Sequence, residues 1–170
     1  MRTVDRLRIH APFPRVFAAA SSVARWPAIL PHYRWVHILN DGLVEMAAWR
    51  PFARGLLKYP TWRVSEMTID RPAGEIRYHH VRGITRGMQV RWRLEEVGEG
   101  SGGSEGVDVE IVHAWDGPAW PLIGPLAADL VIGPVFIHGI ASRTLAGIKQ
   151  EAEKQAGQPT GGTCRTGRDE

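Results

Sequence analysis

Cysteine is almost missing from this 170-residue chain: Cys164 stands alone near the C-terminal end, so no disulfide can form within it. Lysine is scarce too, at 3 of the 21 basic side chains, and the other 18 are arginines set singly along the chain. No Lys/Arg block exists, and nucleic-acid binding is therefore not expected. The charge is nonetheless lopsided. Residues 1–94 hold 16 Lys/Arg against 6 Asp/Glu, and residues 95–170 hold 5 against 12. Also absent are a Walker-type loop, a Gly-x-Gly-x-x-Gly run, a Gly-x-Ser-x-Gly elbow and any Cys/His zinc spacing. Neither a metal nor another cofactor is expected. The opening residues carry Arg2, Asp5, Arg6 and Arg8 with no apolar run, which is not a secretory signal, and a cytoplasmic location is the expectation.

What the chain does have is seven tryptophans and a 44 % apolar fraction, enough for one sizeable core. Alternation places strands at about 3–10, 33–40, 43–51, 56–70, 75–83, 87–98 and 107–116. Asn40-Asp41-Gly42 reads as a hairpin turn, because these residues tolerate positive φ. Arg71-Pro72-Ala73-Gly74 and the glycine-rich run Gly98–Gly106 read as further turns. Pro14 and Pro27 mark the starts of two short helices after the first strand. From Val135 to Lys154 the period becomes helical, with Phe136, Ile137, Ile140, Ala141, Thr144, Leu145, Ile148 and Ala152 on one stripe. Seven strands joined mainly by turns, with helices only near the start and the end, predict an α+β fold with one meandering antiparallel sheet.

Ala119–Ile137 is apolar except for Asp129 and is long enough to suggest a membrane span. Pro121, Pro125, Pro134 and the central carboxylate argue against spanning. A short helix over about 122–132, broken at Gly133-Pro134, is expected there, or a surface that meets lipid or a protein partner. Beyond Ala156 the Gly/Thr/Pro/Arg-rich residues 157–170 predict a disordered tail.

Ala11-Pro12-Phe13-Pro14-Arg15-Val16-Phe17, followed by Ala24-Arg25-Trp26-Pro27-Ala28-Ile29-Leu30-Pro31-His32-Tyr33, closely resembles the opening of the polyketide cyclase/dehydrase and lipid-transport family, in the START-like helix-grip superfamily. The resemblance runs along residues 3–155 and implies one ligand-binding domain over 1–156. In it, a curved sheet grips the C-terminal helix around an apolar cavity of roughly 300–1,000 Å³. It implies a hydrophobic or aromatic small molecule as partner, such as a polyketide, quinone or lipid. The alternative is aromatase/cyclase or dehydratase chemistry in the same cavity.

Trp26 and Tyr33 match pocket positions of the aromatase/cyclases, where they would serve ligand more than folding. Tyr59-Pro60-Thr61-Trp62-Arg63-Val64-Ser65 resembles their Trp-rich fourth strand, although Arg63 is the nearest arginine and Met67 falls near the place of their catalytic one. Alternation puts Met88, Val90, Trp92 and Leu94 on one inward face, and Val107, Val109, Ile111, His113 and Trp115 on another. Trp26, Tyr33, Trp62, Trp92, His113 and Trp115 are thus the candidate ligand contacts. Arg63, His80 and His113 are the candidate catalytic groups, since an inward arginine or a histidine titrating near neutrality could meet a polar ligand atom. For each of the three, a structural or solvated role is the competing reading. His79 and His80 are adjacent on a strand and point to opposite faces, so they cannot share a metal.

Overall fold

The computed structural model describes residues 1–40, 42–52, 57–98, 106–117 and 137–156, without the side chains of 50–59, 155 and 156. The first strand, β1 (Arg2–Ile9), leads into helix α1 (Phe13–Ser21), a 3-10 turn (Val23–Arg25) and the short helix α2 (Trp26–Ile29). Six strands follow: β2 (Tyr33–Asn40), β3 (Leu43–Phe52), β4 (Leu57–Asp70), β5 (Glu75–Gly83), β6 (Gln89–Val97) and β7 (Gly106–Ala114). Helix α3 (His138–Ala156) closes the described chain. Pro14 and Pro27 each sit in the first turn of their helix, where the missing N–H costs nothing. The strand bounds fall within two residues of the expected ones, and the fold class is the expected α+β helix grip. The expected helix start at Val135, the break at Gly133-Pro134, most of Ala119–Ile137 and the 157–170 tail lie outside the described residues.

All seven strands form one antiparallel sheet in the order β1-β7-β6-β5-β4-β3-β2. Consecutive strands are neighbours, except that β1 closes onto β7. Gly42 takes φ +81° in the β2–β3 turn, the conformation the Asn-Asp-Gly signal predicts. The register also bends. Val64 lies opposite Arg82 and Ser65 opposite His80, so Val81 is an extra residue between them. A bulge of this kind increases local twist. Gly83, beyond the bulge, has φ +99°, and a Cβ there would stand 2.2 Å from the Trp62 carbonyl oxygen, so the close approach admits glycine alone.

Alternation decides what the sheet's concave face carries. Ile76, Tyr78 and His80 from β5, Val90, Trp92 and Leu94 from β6, and Val107, Val109 and Ile111 from β7 are all buried. On β3, Val44, Met46 and Ala48 are inward. Helix α3 covers this face with Ala141, Thr144, Leu145, Ile148 and Ala152, the stripe the helical period selects. The convex face is polar, with Arg6 paired to Glu110 and Arg8 to Asp108 across the β1–β7 register. Among the described residues, only one side of this antiparallel sheet is covered.

Candidate functional site

Between the sheet and α3 the packing leaves a cavity of about 50 Å³. The space is real and smaller than the 300–1,000 Å³ expected from the sequence. It holds a few water-sized spheres, each needing about 10–15 Å³. Its wall draws on α2, five strands and α3: Trp26, Tyr33, Arg63, Tyr78, Trp92 and Thr144 are among the lining residues.

The aromatic side of this wall is built around Trp26. Its ring lies 5.0 Å from Tyr33, 5.9 Å from Trp92 and 6.5 Å from Tyr78, all tilted rather than face to face. Such offsets suit the ring quadrupoles. Trp26 Nε1 donates to the Ala19 carbonyl at 3.2 Å, which leaves the indole face, not its N–H, for a ligand. Trp26 is only 2 % exposed, so it carries part of the core as well as part of the cavity wall. The resemblance alone favours ligand over fold at this position. The packing gives it both roles.

The polar side centres on Arg63. Its Nη2 donates to the Tyr33 hydroxyl at 3.2 Å, and the guanidinium lies 6.0 Å from the Tyr33 ring centre. Arg63 Nε and Tyr78 Oη are both shut off from solvent with no hydrogen-bond partner among the described residues. Burial pushes the Tyr78 phenol well above its ordinary range; the neighbouring Tyr33 adds to this and Arg63 works against it. Tyr78 therefore stays protonated and offers an O–H to any acceptor that arrives. Two histidines complete the rim. His80 Nδ1 is 2.7 Å from the Thr85 hydroxyl, and His113 Nδ1 is 3.4 Å from that of Thr3. On α3, Thr144 bonds His32 Nε2 at 3.1 Å.

The six proposed ligand contacts divide. Trp26, Tyr33, Trp92 and His113 line the cavity, together with the catalytic candidates Arg63 and His80. Trp62 does not. It is 42 % exposed on the convex face, and its Nε1 donates to Glu45 at 2.7 Å. The cause is register: Arg63 sits opposite inward Met46, which turns Trp62 outward beside Ala47. Trp115 is buried but lies outside the cavity wall, where its Nε1 is bound to the Arg86 carbonyl at 2.9 Å. Tyr78, Thr85 and Thr144 were not singled out as site residues from sequence. Tyr78 could have been, because it shares its strand face with Ile76 and His80. Among the described residues no group of three His, Cys, Asp or Glu is placed to hold a metal ion, and no helix is long and apolar enough to cross a membrane.

The sequence profile described as polyketide cyclase / dehydrase and lipid transport matches residues 9–132. The chain belongs to this family. No curated protein matches its sequence. Solved structures do match its fold. An aromatase/cyclase from Streptomyces superposes with a TM-score of 0.71 at 18 % identity, covering 95 % of this chain and 98 % of that one. A Thermus thermophilus protein gives 0.70 at 16 %, covering 92 % and 99 %. A START superfamily protein from Mycobacterium smegmatis gives 0.64 at 14 %, covering 91 % and 98 %. At such identities the likeness concerns the fold.

Proposed function

We propose that this member of the family binds an apolar, oxygen-bearing small molecule between the sheet and α3. One observation carries the reading: an aromatic wall of Trp26, Tyr33 and Trp92 faces buried polar atoms, Arg63 Nε and Tyr78 Oη, that have no partner among the described residues. Buried polar groups are normally satisfied, and each one left without a partner costs about 1–3 kcal/mol. A ligand oxygen between them would remove that cost, while the indole faces take up its apolar part. Ligand pockets commonly enclose about 300–1,000 Å³, so binding requires the wall to move outward. Titration with the neutral fluorophore N-phenylnaphthylamine tests this, with tryptophan quenching and probe enhancement as readouts. Saturable binding is expected. Its absence, together with no small molecule released from the natively purified protein in mass spectrometry, would overturn the proposal.

The inward placement of Arg63, His80 and His113 together favours one second reading, cyclisation of a poly-β-ketone. In such a step a base removes the proton between two carbonyls. The enolate carbon then attacks a further carbonyl of the same chain, and the new alkoxide is protonated before water leaves. Arg63 and Tyr78 would hold the developing oxyanion, and a histidine would exchange the proton. Holding the chain folded supplies much of the rate. A single ring pattern formed from a poly-β-ketone surrogate would support this reading. The same product mixture with and without protein would leave carriage as the function.

A further inference from the structure

We infer that the ligand of this cavity is an apolar carboxylic acid bound as its anion, with the carboxylate on Arg63 and Tyr78. The inference rests on the binding reading above and adds the charge of the ligand to it. Arginine cannot shed its proton in a protein, so the cation at Arg63 is permanent. Yet the described cavity wall contains no Asp or Glu to balance it. Arg63 Nη2 donates instead to a phenol oxygen, that of Tyr33, at 3.2 Å.

Among the described residues the sole buried carboxylate is Asp5, on β1. It is already taken: His138 Nδ1 pairs with it from α3, and the Ser142 hydroxyl reaches its Oδ1 at 3.4 Å. Arg63 is half-buried and has no carboxylate beside it in the described wall, so a ligand can bring the counter-charge. Donor geometry agrees. Arg63 Nε is an N–H donor, and Tyr78 Oη belongs to a phenol that burial keeps protonated; neither has a partner among the described residues. Two donors facing one cavity suit an acceptor with two oxygens, and guanidinium to carboxylate is the strong form of that bond. A neutral ketone could accept from both donors, but it would bring no counter-charge to the cation. The apolar remainder of the acid would lie against Trp26 and Trp92.

The test compares matched probes at neutral pH by tryptophan quenching: benzoate against benzyl alcohol, and naphthoate against the corresponding naphthylmethanol. The acid of each pair is expected to bind about tenfold or more tightly than the alcohol, as charged hydrogen bonds require. In Arg63→Met the preference should vanish while the alcohols still bind; in Arg63→Lys part of it should return. Equal affinities for acid and alcohol in the unaltered protein would overturn the inference and leave the binding reading standing. A preference that survives in Arg63→Met would also overturn it, by placing the anion site elsewhere. Quenching by none of the four probes would count against both.

Discussion

Tyr33 joins the two sides of the cavity, since its ring packs on Trp26 and its hydroxyl accepts from Arg63. Removing only the hydroxyl separates these jobs. Tyr33→Phe keeps the ring and should lower stability by about 1 kcal/mol, the ordinary worth of one hydrogen bond. The freed Arg63 should shift the protein's preference among polar ligand groups, while affinity for a neutral apolar probe stays nearly unchanged. Thermal unfolding beside probe titration checks both halves. Trp26→Ala is a different experiment, because the side chain is almost fully buried. Truncating such a residue costs about 3–5 kcal/mol, so a steep fall in Tm is expected, and lost binding in that variant would say little about the ligand.

Asp5 offers a second test on one residue. Its carboxyl is raised above the ordinary range because burial outweighs the opposing help from His138 and Ser142. A carboxyl whose folded pKa exceeds its unfolded one contributes stability below the unfolded pKa and loses it as pH rises through the folded value. Ionising this buried carboxyl as pH rises therefore costs stability, and in acid, below the unfolded pKa, that cost is gone. Asp5→Asn should match the unaltered protein in acid and be at least as stable at neutral pH, measured by denaturant melts at both. A variant much weaker at neutral pH than in acid would mean that the pairing with His138 outweighs burial.

Among the elements, α3 decides how the cavity is closed. Gly147 sits where the helix meets α2, and a Cβ there would stand 2.2 Å from Leu30 Cδ2. Leu30 is fully buried, so its side chain would have to turn within the core. Alanine in a helix gains about 0.8–1.0 kcal/mol over glycine by propensity. Overpacking a filled core costs about 1–3 kcal/mol. The second effect should win, so Gly147→Ala is expected to lower Tm even though it improves the helix locally. A rise in Tm would show that α3 moves away from α2 without resistance. On the outer face of β4 the contrast is plain. Trp62→Phe removes the indole donor to Glu45 and should leave cavity binding unaltered in any probe titration.

At the scale of the whole molecule, most strands were legible because one face is buried and the other wet, whereas the pairing of β1 with β7 was not. Burial of one face leaves a period of two along β6 and β7, and the prolines and glycines punctuate the rest. The direction of β4 was not legible. Tyr59, Thr61 and Arg63 alternate with Trp62 and Val64, and both sets include a large side chain able to face a core. Only the pairing of Met46 with Arg63 settles which set turns inward. The donors of Arg63 and Tyr78 that have no partner among the described residues were also out of reach, because such a donor is a property of neighbours brought together from distant strands. The cavity's size lay further off still, since it depends on small gaps between side chains that pattern and composition do not encode.

The central claim is that a ligand enters between the sheet and α3 and meets the indoles on the concave side. The indole N–H resonances of isotope-labelled protein, assigned by single Trp→Phe variants, report this site by site. On titration with naphthoate, the signals of Trp26 and Trp92 should shift together and saturate. Trp62 on the convex face and Trp115, held at the Arg86 carbonyl, should stay in place. Movement of Trp62 with Trp26 and Trp92 unchanged would put the ligand on the outside of the sheet and contradict the account.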